Sequence, residues 1–198
     1  MCTLNVIPRT YHTYISSICG LTSLTHLRLR LANCTSPDNR VSSLIFLRYL
    51  NISYFSGFED DSLSSLCTLT NLEILYLEAV DMTGTGFRDL YTLPVKELYL
   101  IHCFSLTDDG VRECARAFRA LCKLCMGAPY GGWDDEPCLL TTATWSHLNS
   151  YASPTLTHLT LLSFELQEAE ILVLSRFKLS FSKDHVVAID NHQYPTEI

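Results

Sequence analysis

The sequence has few charged residues, and little of its charge is positive. Asp, Glu, Lys and Arg make up 18% of the 198 residues, below the usual quarter, which argues against a long coiled coil. Lys and Arg number 14 against 21 Asp and Glu, giving a formal net charge of −7. Broad, non-specific nucleic-acid binding needs a basic footprint, so we expect no nucleic-acid partner.

Long apolar runs and a leader segment are also missing. No stretch of 18 consecutive apolar residues is present, so we expect no membrane span. The N-terminus has neither a charged start nor an apolar run of about 7–15 residues, so no secretory signal is visible. The nine cysteines are an odd number, so they cannot all pair within one chain. Since no secretory signal is visible, we expect reduced and mostly buried thiols in an intracellular protein, cytoplasmic or nuclear.

The motifs of common catalytic and cofactor sites are absent as well. The seven histidines form no H-E-x-x-H, and no G-x-S-x-G is present. Gly84-Thr85-Gly86 lacks the third glycine of a dinucleotide-binding loop, and Asp134-Asp135-Glu136 does not match the spacing of an EF-hand. We therefore expect no catalytic residues, no metal and no cofactor.

A repeated apolar pattern organises most of the chain. Hydrophobic residues make up 47% of it and the mean hydropathy is +0.15, which excludes wholesale disorder. The spacing apolar-x-x-apolar-x-apolar begins at Met1, Leu24, Leu47, Leu72, Val95, Leu121 and Leu156, with a degenerate copy at Leu174. Start-to-start intervals are 23, 23, 25, 23, 26 and 35 residues up to Leu156, and the first five match leucine-rich repeats.

Each unit predicts a strand, a turn and a short helix. The fourth and sixth positions point to the same side of a strand and enter the core, while the residues between them point outward. The segments that begin near Tyr11, Leu63, Phe87 and Val111 have apolar residues at helical spacing. Thr107-Asp108-Asp109 and Asp60-Asp61-Ser62 are typical of helix starts, with a hydroxyl cap or acids in the first turn.

One stretch carries a more specific resemblance. Residues 98–111, with Cys103 after the strand and then Leu106-Thr-Asp-Asp-Gly110-Val111, resemble the cysteine-containing subtype of leucine-rich repeat. Looser copies occur at 82–87 and 58–63, but the other units carry Ala32, Phe55, Val80, Pro129 and Phe164 at the cysteine position. This subtype is frequent in F-box proteins, the substrate receptors of cullin-type ubiquitin ligases. No F-box precedes the repeats here, so we expect a fragment, an isoform or a truncated gene model.

The predicted fold is an α/β leucine-rich repeat solenoid of about seven repeats, with a curved parallel sheet on the concave side and short helices on the convex side. Residues 1–164 would hold the repeats, with an irregular insertion at 129–155. Residues 165–198 would form the degenerate last repeat, a C-terminal cap and a tail, with 184–190 as a further strand. The predicted function is non-catalytic binding of a partner protein. The alternative is substrate recognition in an F-box type ubiquitin ligase, with ligase subunits reached through a longer form.

Outward strand residues define the predicted binding surface, because solenoids present extended concave faces. Tyr and Arg are enriched there and both anchor protein interfaces, although aromatic residues also favour strands in general. Arg28, Arg30 and Arg48 form a basic corner that would suit an acidic peptide or a phosphopeptide. The candidate partner-binding residues are Arg28, Arg30, Tyr49, Tyr54, Tyr76, Tyr99, His102 and Trp133.

Two features of the later repeats admit alternatives. Trp133 stands beside an acidic triplet in a loop rich in glycine and proline, where it would either contact a partner or fold back on the solenoid. Cys122 and Cys125 form a C-x-x-C, but on a predicted strand rather than at a helix N-terminus, which favours ordinary structural thiols. An enzyme or redox protein that uses this pair is the alternative from a different class.

Overall fold

Eight parallel strands form one sheet, in chain order from β1 to β8. The structure is a computed structural model that describes residues 2–6, 18, 20–30, 39–55, 57–127, 139–164 and 166–182. The strands are β1 (Thr3–Val6), β2 (His26–Arg30), β3 (Tyr49–Ser53), β4 (Ile74–Glu78), β5 (Glu97–Ile101), β6 (Lys123–Gly127), β7 (His158–Leu162) and β8 (Lys178–Ser182). The unit that starts at Met1 supplies β1 and the degenerate copy at Leu174 supplies β8, so the described residues hold eight strands where about seven repeats were expected.

Short helices connect these strands on one side of the sheet. The described α-helices are α1 (Asp60–Ser64), α2 (Asp108–Ala117), α3 (Thr142–Tyr151) and α4 (Glu168–Val173), and 3₁₀ segments span Asn39–Ser43, Ser65–Thr68 and Thr85–Leu90. None of the helices in the described ranges is long and apolar enough to cross a membrane. The predicted helix from Tyr11, except Ile18 at its end, and the predicted strand at 184–190 lie outside the described residues.

The core lies between the sheet and the helices. The leucines at the fourth position of neighbouring units, such as Leu50, Leu75 and Leu98, are aligned by the strand register and have no exposed surface. Phe87 and Phe118 pack edge to face across the helical layer, with ring centroids 5.7 Å apart. Burial of each such side chain contributes roughly 1.5–3 kcal/mol, so the repeated pattern is the main source of stability.

The start of α2 is fixed by a helix cap and by close contact with the preceding repeat. Thr107 caps α2 by accepting a hydrogen bond from the Gly110 N–H at 3.2 Å. Gly110 lies against the preceding repeat, where an added Cβ would stand 2.0 Å from the carbonyl oxygen of Thr83. The Thr-Asp-Asp-Gly phrase therefore combines a helix cap with a close approach of two backbones, which only glycine permits.

Part of the predicted insertion is regular. Residues 142–151 form α3, whose Trp145 is buried and donates from Nε1 to the Glu170 carboxylate on α4 at 2.9 Å. The rings of Trp145 and Phe164 meet edge to face at 5.4 Å. The long interval before β7 therefore includes a helix packed as in the other repeats, while the proposed boundaries at 129–155 and 165–198 stay predictions.

Candidate partner-binding surface

The strand register collects the outward side chains into columns on the face of the sheet opposite the helices, here called the concave face. It aligns His26, Tyr49, Ile74, Glu97, Lys123, His158 and Lys178 in one column. Asn5, Arg28, Asn51, Tyr76, Tyr99, Cys125, Thr160 and Ser180 form the next. The predicted candidates on the strands thus share one face.

The N-terminal third of the concave face is a polar network. The Tyr49 hydroxyl accepts hydrogen bonds from the Arg28 guanidinium at 3.5 Å and from the Asn51 side-chain amide at 3.4 Å. Ser53 donates to Asn51 at 2.5 Å, and the His26 ring stacks on Tyr49 with centroids 5.9 Å apart. These bonds satisfy polar groups that are largely withdrawn from water, and they fix the Tyr49 ring.

His26 stands at the edge of a small cleft of about 90 Å³ beside β1, lined by Thr3, Leu4, Asn5, His26, Leu27, Arg28 and Tyr49. Burial lowers the pKa of His26, and the positive charges of Arg48 and the N-terminus lower it further. At neutral pH the imidazole is therefore uncharged, which leaves Arg28 as the cation that lines this cleft.

The middle of the concave face is apolar and closely packed. The rings of Tyr76 and Tyr99 lie 5.4 Å apart, and these residues are 6% and 3% exposed. They pack in one cluster with Ile101, Cys125 and Leu162. Burial strongly raises the pKa of both phenols, with further contributions from Glu78 for Tyr76 and from Glu97 for Tyr99, so both hydroxyls stay protonated.

Hydrogen bonds with the ion pair of Glu97 and Lys123 hold Tyr99 in place. Its hydroxyl donates to the Glu97 carboxylate at 2.7 Å and accepts from the Lys123 ammonium at 2.9 Å. The ammonium also lies 3.9 Å from that carboxylate and 5.0 Å from the centre of the Tyr99 ring. The apolar spacing does not predict this arrangement, although Glu97 and Lys123 occupy the same strand position in adjacent units.

The rim of the concave face carries more accessible side chains. The Arg30 guanidinium lies 4.4 Å from the centre of the Tyr54 ring, and Tyr54 is 41% exposed. Tyr54, Ala79, His102 and Ser163 stand at equivalent positions after their strands and all have positive φ, between 48° and 59°. His102 is half-buried and stacks on Phe104 at 6.4 Å. This left-handed residue turns the chain from the sheet towards the helical side.

The structure thus divides the eight predicted contact residues. Arg28, Arg30, Tyr54 and His102 retain accessible surface, whereas Tyr49, Tyr76 and Tyr99 are buried, and Trp133 lies outside the described residues. Their assignment as partner-contacting residues stays a prediction. Arg48 of the basic corner is separated from the other arginines, because it precedes β3 and pairs with Glu73 of the next repeat, which also binds Lys96 at 3.0 Å.

The thiols of Cys122 and Cys125 do not form a reactive pair. Cys125 is buried on the concave face, and burial raises its pKa to about 12, although Lys123 acts in the opposite direction. Cys122 is exposed and donates to the Ala120 carbonyl oxygen at 3.3 Å. Within the described ranges no three His, Cys, Asp or Glu side chains are placed to hold a metal ion. A redox role for this pair would need a lowered thiol pKa, which Cys125 lacks.

Comparison with known proteins identifies the fold. No protein-family model and no curated protein matches the sequence. Among solved structures, internalin C2 of Listeria monocytogenes matches with a TM-score of 0.53 and 19% identity over 86% of this chain and 66% of that one. A second Listeria internalin matches with a TM-score of 0.44 and 16% identity over 83% of this chain and 49% of that one. A leucine-rich repeat protein of Leptospira interrogans matches with a TM-score of 0.45 and 14% identity over 91% of this chain and 48% of that one.

The chain is an α/β leucine-rich repeat solenoid. Eight parallel strands in one sheet, helices on the other side and the likeness to internalin C2 define this class. The chain spans just under two thirds of internalin C2 and about half of the other two structures. At this identity the likeness shows the fold alone.

Proposed function

We propose that the protein is a non-catalytic interaction module that binds a partner protein through its concave face. The observation that carries the proposal is the Arg30–Tyr54 pair at the rim, where a guanidinium stacks on an exposed phenol. Arg and Tyr are, with Trp, enriched among the residues that contribute most to protein interfaces, because they offer a large contact area together with directed hydrogen bonds.

The packed centre of the concave face supports the same proposal in a different way. Hydrogen bonds fix the strand side chains without a ligand, both between Tyr99 and its partners Glu97 and Lys123 and in the network around Tyr49. A rigid face loses less conformational entropy on binding, so the accessible residues at its rim can contribute their full contact energy. The partner would then contact Arg28, Arg30, Tyr54 and His102 first.

The experiment is affinity purification with matched variants. Arg30→Ser with Tyr54→Ala introduces the residues that the following repeats already carry at these positions, Ser53 and Ala79, so the fold should persist. The control, Ile45→Ala with Phe46→Ala, removes two exposed side chains from the turn before β3. We expect a partner that the wild type and the control retain and the rim variant loses. Retention by all three proteins would refute binding at the rim.

The more specific alternative is substrate recognition in an F-box type ubiquitin ligase. It depends only on the resemblance of residues 98–111 to the cysteine-containing subtype of leucine-rich repeat. The test is the same affinity purification with a longer product that encodes an F-box. Recovery of a cullin or its adaptor with that product would favour the ligase alternative.

We also propose that the protein works in a reducing compartment, the cytoplasm or the nucleus. The free thiols of Cys103, Cys114 and Cys125, all buried in the structure, support that proposal.

A further inference from the structure

A basic cleft of about 260 Å³ lies on the convex side, lined by Arg88, Tyr91, Glu113, Arg116, Ala117 and Arg119. Arg88 and Tyr91 come from the end of the 3₁₀ segment Thr85–Leu90, and Arg116 lies in the last turn of α2. Three of the 14 basic residues of a chain with net charge −7 therefore line one cleft. The cleft lies on the opposite side of the sheet from the surface of the proposed function.

The carboxylates near the cleft do not neutralise these three arginines. Glu113 binds the side chain of Arg112 at 3.1 Å, and Asp109 binds the same guanidinium at 2.6 Å. Asp89 lies 4.0 Å from the Arg88 guanidinium, but both side chains are more than half exposed, so this pair is weak. The cleft therefore keeps an excess of positive charge.

The guanidinium groups are also available to a ligand. Arg116 lies 5.6 Å from the centre of the Tyr151 ring, and such stacking uses the face of the guanidinium while its N–H groups can still donate in the plane. The backbone of Arg119 is fixed, because its carbonyl oxygen accepts from Ser153 at 2.7 Å. Its side chain is exposed and has no ion pair within the described ranges.

We propose that this cleft binds the phosphoryl group of a phosphorylated side chain in a protein partner. Planar guanidinium groups match the oxygens of a phosphate dianion through paired, charge-assisted hydrogen bonds. An extended nucleic-acid backbone fits less well, because Asp89 and Glu113 flank the arginines and would repel the neighbouring phosphates. The Tyr91 ring, 69% exposed at the same cleft, offers contact area to the residue beside the phosphorylated one.

The test follows the arginine Nε–Hε resonances of the full chain by NMR during titration with acetyl-Gly-phosphoserine-Gly-amide. Parallel titrations use the Glu counterpart of this peptide and a short single-stranded oligonucleotide. We expect the phosphopeptide to shift the signals of Arg88, Arg116 and Arg119 saturably, and to bind more tightly than the Glu peptide. Arg88→Gln with Arg119→Gln should weaken binding about tenfold.

The matched control is Lys96→Gln with Lys178→Gln, which removes the same charge from exposed positions outside the cleft and outside the predicted contact residues. It should change the affinity for the phosphopeptide by less than about twofold. Equal weakening by both variant pairs, or no saturable shift at the three arginines, would overturn the proposal. Tighter binding of the oligonucleotide at the same signals would overturn it in favour of a nucleic-acid site. An unchanged unfolding midpoint of each variant shows that the comparison concerns folded protein.

Discussion

The carboxylate of Asp108 accepts hydrogen bonds from the backbone N–H and the hydroxyl of Thr141 in the next repeat, at 2.9 and 2.6 Å. Asp60 makes the equivalent pair with Thr83, at 2.9 and 2.7 Å. In both places the aspartate of one helical segment binds the residue just before the next segment. The solenoid is therefore joined along its helical side by ionised carboxylates as well as by the sheet.

These aspartates predict a loss of stability in acid. Burial raises the pKa of each carboxyl, but hydrogen bonds from Thr83 and Gly86 to Asp60, and from Thr141 and Thr144 to Asp108, outweigh it and lower both. Carboxyls with lowered folded-state pKa values stabilise the fold above their unfolded pKa of about 3.9, and this stabilisation is lost as the pH falls through the folded values. Urea unfolding below about pH 4 should therefore show a falling free energy of unfolding.

The matching variants are Asp60→Asn and Asp108→Asn. Each should cost about 1 kcal/mol at pH 7, as for other lost helix-end hydrogen bonds, and the difference from wild type should shrink in acid. Asp109→Asn, which affects an exposed ion pair, should cost less than about 0.5 kcal/mol. A difference for Asp108→Asn that stays constant from pH 7 to pH 3 would contradict the role of its charge.

Gly110→Ala should destabilise the fold even though alanine favours helices. The gain in helix propensity is about 1 kcal/mol, whereas the new Cβ would lie 2.0 Å from a backbone oxygen that cannot move alone. We expect a net loss of about 1–3 kcal/mol in the free energy of unfolding. A more stable variant would show that the two repeats are not in such close contact.

The apolar spacing was sufficient to predict the sheet, because an apolar residue at the fourth and sixth positions of each unit allows one register only. Leu50 and Leu75, for example, are paired as the alignment of units requires. The spacing could not predict that Tyr76 and Tyr99 would be buried, since outward position on a strand says nothing about packing between neighbouring columns. Nor could it predict that Arg48 would bind Glu73, a contact 25 residues apart that depends on the turn geometry.

Ala79 occupies a left-handed conformation with φ of 48°, which predicts that glycine is tolerated there. Non-glycine residues pay about 1–2 kcal/mol for this conformation, and glycine's extra entropy in the unfolded chain offsets about half of that. Ala79→Gly should therefore stabilise the fold by up to about 1 kcal/mol in chemical denaturation. Ala115→Gly, in the interior of α2, should instead cost about 1 kcal/mol, and a loss of that size at position 79 would contradict the turn geometry.

The buried cysteines should resist alkylation in the folded protein. Burial raises the pKa of Cys103 to about 12 and acts in the same direction on Cys114 and Cys125, so the reactive thiolate is scarce at pH 8. Timed labelling with iodoacetamide and peptide mass spectrometry should modify the exposed Cys122 long before Cys125. Equal rates at these two residues would revive the redox interpretation.

Site-specific photo-crosslinking in cells tests the concave-face proposal most directly. Benzoylphenylalanine replaces Tyr54, 41% exposed at the rim, or Phe46, 54% exposed in the turn before β3. The two probes have similar exposure and replace aromatic residues, so only their position on the solenoid differs. We predict a discrete covalent adduct with one partner protein from position 54 and none from position 46. The same adduct from both positions, or from position 46 alone, would contradict partner binding through the concave face.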